Sequence, residues 1–327
     1  MKFFTASSRH SELHTLRNEG VSKGISTGWN ALDEIYTVKK GYPLFIAGSP
    51  HHGKSEFALD LMVNLSKVHA WKHFVYAGEI GSADELISEI AHKYIGKPFR
   101  KKIDSVTDNS YAMDEGEMYQ ALDFIDKHFV ILDTEDEKSE VTDFTPEQFY
   151  ALADEAEKER KIKFDCTLLD PFNDVVENLE KYGGREDKFL KDALKLIRSD
   201  SKRKNRLNIV INHIADITPV TDKHSGSRYI PVALPTEWAG GRTWHRRAFT
   251  MLLIYRPPIL VELPGGGKPK HNETWVINQK AKPKGSGKLG QCSLYWDWKE
   301  NKFYDTVSET ANISFDEAKA EQIQAPF

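Results

Sequence analysis

Eight residues, Gly48-Ser49-Pro50-His51-His52-Gly53-Lys54-Ser55, have the spacing G-x-x-x-x-G-K-S. That spacing suits a polyphosphate. Glycines let the backbone curl without a Cβ clash, and the amides of such a loop converge on a β-phosphate. Lys54 would neutralise the β/γ oxygens and the Ser55 hydroxyl would ligate Mg²⁺. A helix opening at Glu56 would aim the positive end of its dipole at the same point. The chemistry fits ATP, or another NTP or dNTP, with Mg²⁺. The bland alternative is an ordinary Gly-containing βα turn, which an apolar strand before the loop and an amphipathic helix after it argue against.

Three more polar residues end apolar runs. Glu79 follows Phe74-Val75-Tyr76-Ala77-Gly78. A carboxylate at the tip of a central strand, beside a phosphate loop, can orient and deprotonate an attacking water. A surface glutamate in a βα loop is the other reading. Asp170 ends the run from 164, where a carboxylate can hold Mg²⁺ through water. His213 ends the run from 207 and either touches a γ-phosphate, passing its presence to the next loop, or is a structural histidine.

The elements that must position these residues follow from periodicity. Short apolar runs predict strands at 44–48, 74–78, 129–132, 164–170, 207–213 and 249–255. Helices are expected at 56–65, from Ser82 with its capping-box Glu85, at 114–127, at 146–161 with a solvated charged face, and at 185–204. In the last of these Phe189, Leu190, Leu194 and Ile197 point inward. Ser26 or Thr27 is expected to cap a short helix carrying Trp29, Leu32 and Ile35. Runs at 274–280, 291–298 and 303–304 predict an antiparallel meander, and Gly265-Gly266-Gly267 a turn. Strands alternating with helices give an α/β fold with a mostly parallel sheet, extended at its C-terminal end by antiparallel strands.

Residues 215–247 are long and irregular for a loop inside a domain. They hold Lys223, His224, Arg228, Arg242, His245, Arg246 and Arg247, with Gly240-Gly241 and two tryptophans. Charges for phosphates and rings for bases suit a single strand of nucleic acid; a solvated surface loop is the alternative.

The chain has 327 residues, 39% hydrophobic and 29% charged, which is enough for a large α/β core. A net charge of -4 argues against a generally basic coat but leaves room for a channel lined by a few basic loops. Cys166 and Cys292 read as buried thiols in a reducing compartment rather than as a disulfide. No signal peptide is seen and no apolar run is long enough to cross a bilayer, so a cytoplasmic setting without membrane contact is expected. The division expected is an arm over 1–24, a core over 25–306 and a loose polar tail over 307–327. The arm is either frayed or docks on a neighbouring subunit.

These residues together resemble the helicase domain of DnaB-family replicative helicases, nearest the Twinkle and bacteriophage primase-helicase branch. The resemblance rests on Ser26-Thr27-Gly28-Trp29-Asn30-Ala31-Leu32-Asp33, Gly48 to Ser55, Ala77-Gly78-Glu79, Leu169-Asp170-Pro171-Phe172-Asn173, Asn212-His213 and Ile254-Tyr255-Arg256-Pro257. It implies a RecA-like core in a ring, usually of six, with single-stranded DNA in the channel and nucleotide between subunits. It implies further that Gly48 to Glu56 bind nucleotide, Lys54 and Ser55 holding phosphate and Mg²⁺. Glu79 would be the catalytic base, Asp170 the second-sphere Mg²⁺ carboxylate and His213 the γ-phosphate switch. Arg256 would pack on the base, with Trp296 on its other face, and Arg242, Arg246 and Arg247 would contact DNA.

Three departures stand out. Where the family's trans-acting arginine is expected, the chain reads Gln279-Lys280-Ala281-Lys282, and lysine lacks the bidentate fork. His51-His52 occupy a loop interior where smaller residues are common. No primase or zinc-binding domain fits before residue 24, so a separate primase or loader is expected. The implied activity is 5′ to 3′ DNA unwinding driven by ATP, in a bacteriophage replication module and so in a bacterial host's cytoplasm. A RecA/KaiC-like DNA-binding ATPase that does not unwind is the alternative, and an ATPase acting on protein partners a third.

Overall fold

The computed structural model describes residues 3–101, 110–134, 143–262, 267–282 and 284–306. The polar tail over 307–327 and most of the Gly265-Gly266-Gly267 turn lie outside them. The first helix, α1 (His10–Glu19), buries none of its residues. After α2 (Asn30–Asp33), β1 (Leu44–Gly48) and α3 (Lys54–His69) flank the phosphate loop. Then follow β2 (His73–Ala77), α4 (Ala83–Ile95), α5 (Glu115–His128), β3 (Phe129–Ile131) and α6 (Pro146–Arg160). β4 (Cys166–Asp170), α7 (Glu186–Lys204) and β5 (Leu207–His213) complete the central part. A two-stranded hairpin of β6 (Val220–Thr221) and β7 (Arg228–Tyr229) precedes α8 (Arg242–Arg247) and β8 (Thr250–Tyr255). β9 (Glu273–Lys280), β10 (Gly290–Asp297) and β11 (Lys302–Tyr304) close the described chain.

Nine strands form one sheet in the order β11-β10-β9-β8-β1-β5-β4-β2-β3. The six from β8 to β3 are parallel, and β9, β10 and β11 add on antiparallel at the β8 edge. Parallel strands buried on both faces need helices on both faces. One apolar core lies under α3, α4 and α5, with Leu44, Ile46, Phe57, Leu61 and Ile90 in it. The other lies under α6, α7 and α8, and holds Phe45, Phe149, Phe189, Leu190, Leu194 and Ile197. The inward face read for α7 is therefore the buried one. Both predicted thiols are free, Cys166 fully buried and Cys292 half-buried. Among the described residues no helix is long and apolar enough to cross a membrane.

Two sequence expectations change. Neither Ser26 nor Thr27 caps α2. Thr27 donates from its amide and its hydroxyl to Asp33 Oδ1, at 2.8 Å each. The exposed first-turn amides of α2 are taken by a distant carboxylate: Asn30 and Ala31 donate to Asp305 at 2.7 and 2.9 Å. A cap from 275 residues away leaves no local sequence mark. The second change concerns Trp238 and Trp244, read as rings for nucleic-acid bases. Both are fully buried in the α7 side of the core, and Trp244 packs edge-on against Phe45 and Phe172 at 5.3 Å.

Candidate active site

Parallel strands deliver their C-terminal tips to one edge of a sheet, which is where α/β folds place ligands. Register brings the tips level: Gly48 lies opposite His213, and Ala77 opposite Asp170. The loop from Gly48 to Ser55, Glu79, Asp170 and His213 thus meet at one place. Glu79 follows β2 in a 3-10 turn, Gly78–Ile80, and its Oε1 lies 3.2 Å from His213 Nε2. Gly48 must lack a side chain because the β8 backbone runs beside it; a Cβ would stand 2.4 Å from the Ile254 carbonyl oxygen.

Inside the loop, Lys54 is buried and donates to the Ser49 carbonyl at 3.2 Å. Burial pulls its ammonium below the ordinary lysine value, against the pull of Asp170 and Glu79. His51 holds a left-handed backbone, φ 62°, which a non-glycine residue adopts at a cost. His52 explains how the loop tolerates two imidazoles. Its Nδ1 accepts the Arg256 amide at 3.3 Å and its ring meets Tyr255 edge-on at 5.3 Å. Burial, helped by the nearby Lys54 and Arg256 charges, pushes His52 down to about 4, so the neutral imidazole fastens the loop to the end of β8.

Asp170 is fully buried, and neither carboxylate oxygen has a hydrogen-bond partner of normal geometry. Burial pushes its carboxyl up to about 7, opposed by the Ser55 hydroxyl and Lys54. An ionisable group this costly to bury, aimed at the phosphate loop, fits a hydrated divalent cation held with Ser55.

Around this centre the other sequence-read residues separate. Glu56, in the first turn of α3, pairs with the buried Lys93 of α4 at 2.5 Å. Trp296 packs on Phe303 with ring centroids 4.8 Å apart, and Lys93 Nζ lies 4.7 Å above its ring. Arg256 is exposed just beyond β8. Lys280 donates to the His245 carbonyl at the end of α8, a tie within the same chain, whereas Lys282 is exposed. Lys223, Arg228, Arg242, Arg246 and Arg247 are placed on the surface, the first two on the β6–β7 hairpin and the last three on α8.

Sequence reasoning missed Lys93 and the carboxylate Asp174. Lys93 was open to detection, because Leu86, Ile90 and Lys93 share one stripe of α4, and a lysine on a buried stripe demands a partner. Asp174 lies in the short turn after Asp170, and its contacts are with residues that the sequence does not place beside it.

Fold and site together define a P-loop α/β domain of the RecA-like class. It has the fold of the ATPase domains of DnaB-like replicative helicases. No protein-family model matches the chain. An 83-residue stretch is 35% identical to the Twinkle homolog protein, chloroplastic/mitochondrial, of Arabidopsis thaliana, covering 25% of this chain and 12% of that protein. A DnaB-like replicative helicase, solved in a study of its interactions with primase, superposes with a TM-score of 0.69 at 14% identity. That match covers 94% of this chain and 68% of the other. A second solved structure, an ATPase domain on its own, gives 0.69 at 15% identity, covering 93% and 100%. The RadB recombinase gives 0.50 at 13%, covering 86% and 99%.

Proposed function

We propose that this chain is the ATP-driven motor of a ring-forming replicative DNA helicase, moving 5′ to 3′ on single-stranded DNA. The observation that carries the reading is the meeting of Lys54, Glu79, Asp170 and His213 at the aligned tips of four parallel strands. ATP would lie with its phosphates on the Gly48–Ser55 amides, Lys54 turning from Ser49 to the β/γ oxygens. Mg²⁺, held by Ser55 with Asp170 behind it, would neutralise phosphate charge. Glu79 would take the proton of the attacking water, and its contact with His213 gives the γ-phosphate a route to the segment after β5. Arg256, exposed just beyond β8, would pack on the base, whereas the Trp296 ring is already covered by Phe303 and Lys93.

Assembly supplies what one copy lacks. Lys282 is the exposed cation on the edge expected to face a neighbour's nucleotide, whereas Lys280 is tied to His245. Residues 1–24 would form a docking arm: α1 buries nothing, and Leu13 and Leu16 stand about half exposed. Lys223, Arg228, Arg242, Arg246 and Arg247 would line the DNA channel. A separate primase or loader would act with the ring in a bacterial host's cytoplasm. The second reading, a recombinase-type ATPase that does not unwind, draws on the RadB likeness and on lysine where an arginine is expected.

One set of assays separates them. Hydrolysis should rise with single-stranded oligonucleotide, and a forked duplex should be unwound. Stimulation without unwinding supports the recombinase reading, and no stimulation points to protein partners. Lys54→Ala should abolish hydrolysis. Glu79→Gln should keep nucleotide binding, lose about 10²-fold or more in turnover, and trap assembled rings. Turnover at the wild-type rate in Glu79→Gln would remove Glu79 as the base.

A further inference from the structure

The two ends of a nucleotide would rest on different pieces of this chain, the phosphates on the loop from Gly48 to Ser55 and the base on Arg256. That loop is docked on the end of β8 at two points. At its start, Gly48 lies so close that a Cβ there would stand 2.4 Å from the Ile254 carbonyl oxygen. Further along, the contact is made by His52. His51 is exposed and holds φ 62°, a left-handed turn after which the half-buried His52 ring reaches the end of β8.

His52 bonds to both sides of the expected nucleotide site at once. Its amide donates to the Ser49 carbonyl at 3.3 Å, and the same oxygen accepts Lys54 Nζ at 3.2 Å. Its Nδ1 accepts the Arg256 amide at 3.3 Å. One residue is therefore joined through its main chain to the acceptor that holds the phosphate-loop lysine, and through its side chain to the peptide that carries the base-side arginine. Tyr255 fixes the plane of the imidazole. The two rings meet edge-on at 5.3 Å, and the Tyr255 phenol is itself held by the Ile230 carbonyl at 2.7 Å. Only a neutral imidazole leaves Nδ1 free to accept; burial first, and then the Lys54 and Arg256 charges, keep it so. The polyphosphate does not demand this arrangement. Loop amides, Lys54 and Ser55 complete a phosphate cradle, and the G-x-x-x-x-G-K-S spacing leaves position 52 open.

We propose that His52 is a positioning residue for nucleotide: it fixes the reach from the phosphate loop to Arg256, so that base and triphosphate are recognised together. The inference rests on the reading of this site as an ATP site with the base on Arg256, and adds the side chain that sets base recognition. Without the tie, the Arg256 peptide samples more positions before the base arrives, and the cost of ordering it falls on binding. Phosphate binding uses the loop amides and Lys54, which the ring does not touch, and keeps its strength.

The test compares the full wild-type chain with His52→Leu and His52→Ala, neither of which has an acceptor, and with His52→Asn, whose Oδ1 can stand in the place of Nδ1. Arg256→Ala and the double variant His52→Leu with Arg256→Ala complete the set. Titration calorimetry gives the Kd of ATP and of inorganic tripolyphosphate, each with Mg²⁺, and Tm shows that each variant is folded. His52→Leu and His52→Ala should raise the ATP Kd about tenfold, the size of one well-placed cation–ring contact. The tripolyphosphate Kd should change by less than about twofold, because the cradle is intact. His52→Asn should recover most of the ATP affinity. Arg256→Ala should cost at least as much as His52→Leu, and in that background His52→Leu should add less than about twofold, because the tie then positions nothing. Wild-type ATP affinity in His52→Leu and His52→Ala overturns the tie while the ATP-site reading stands. Equal losses for ATP and tripolyphosphate, or losses that multiply in the double variant, overturn it too, as a contact that only shapes the loop. Wild-type ATP affinity in Arg256→Ala, or a wild-type chain that binds tripolyphosphate as tightly as ATP, overturns the base assignment and the tie with it.

Discussion

Replacing Lys93 by methionine should destabilise the protein in a way that depends on pH. Lys93 is fully buried, pairs with Glu56 at 2.5 Å, and donates to the carbonyl and the side-chain oxygen of Asn301 at 3.1 and 3.0 Å. It joins α4, the first turn of α3 and the β10–β11 turn. Methionine fills the stem's volume but leaves three acceptors without this donor. Breaking a buried ion pair from one side costs about 3–5 kcal/mol, and Glu56 is 36% exposed, so water recovers part and about 2–4 kcal/mol is expected. A second contribution comes through Asp60, pushed up to about 6 by burial, with Lys93 as the largest opposing charge. The Phe303 amide at 2.7 Å and Lys302 also oppose the rise, and Glu56 adds to it. Because folded Asp60 binds its proton more tightly than the unfolded chain does, this group favours folding at low pH, and the benefit is lost as pH rises through about 6. Without Lys93 that loss continues to higher pH, at about 1.4 kcal/mol for each unit of further rise. The stability gap between wild type and Lys93→Met should therefore be wider at about pH 8 than at about pH 5. Urea unfolding followed by tryptophan fluorescence and far-UV circular dichroism measures both gaps. Equal gaps at the two pH values, or a narrower one at the higher pH, would refute the coupling to Asp60.

Arg206 is fully buried and grips Asp200 with two bonds, at 2.8 and 3.0 Å; Arg206→Met should cost about 3–5 kcal/mol, read as a fall in the urea midpoint. Lys282→Ala should lower turnover in assembled rings while leaving nucleotide affinity near wild type. Lys280→Ala should reduce Tm by removing the tie to His245, and equal catalytic defects in the two would undo the distinction drawn between them. Removing the surface arginines Arg242, Arg246 and Arg247 together should weaken oligo-dT binding and flatten its salt dependence. Each phosphate no longer neutralised should reduce the slope by about 0.7 for a single strand. An unchanged slope would move the DNA site elsewhere.

The strand tips were legible because the signals at 48, 79, 170 and 213 are local: an apolar run, then a polar residue or a glycine. The parallel sheet follows from helices interposed between such runs, and the capping box at Ser82 marks a helix start within four residues. What stayed hidden depends on pairs far apart in the chain. Asp305 caps α2 from across the sequence, and Lys93 reaches Asn301 over 208 positions. The six residues of α8 are too few to show a period, so Trp244 looked like loop aromatic content although it anchors a core.

The same division separates the two lysines near the C-terminal end of β9. Two positions apart, they would share a strand face by period alone, and the sequence treats them as equivalent candidates. The strand ends at Lys280, however, and α8 has placed the His245 carbonyl beside that ammonium. A cation already satisfied at a helix C-terminus must give up that contact before reaching a neighbour's phosphate, whereas the exposed Lys282 has mainly water to shed. Local spacing therefore identifies the groups able to do chemistry, and tertiary contacts decide which of them are free to do it.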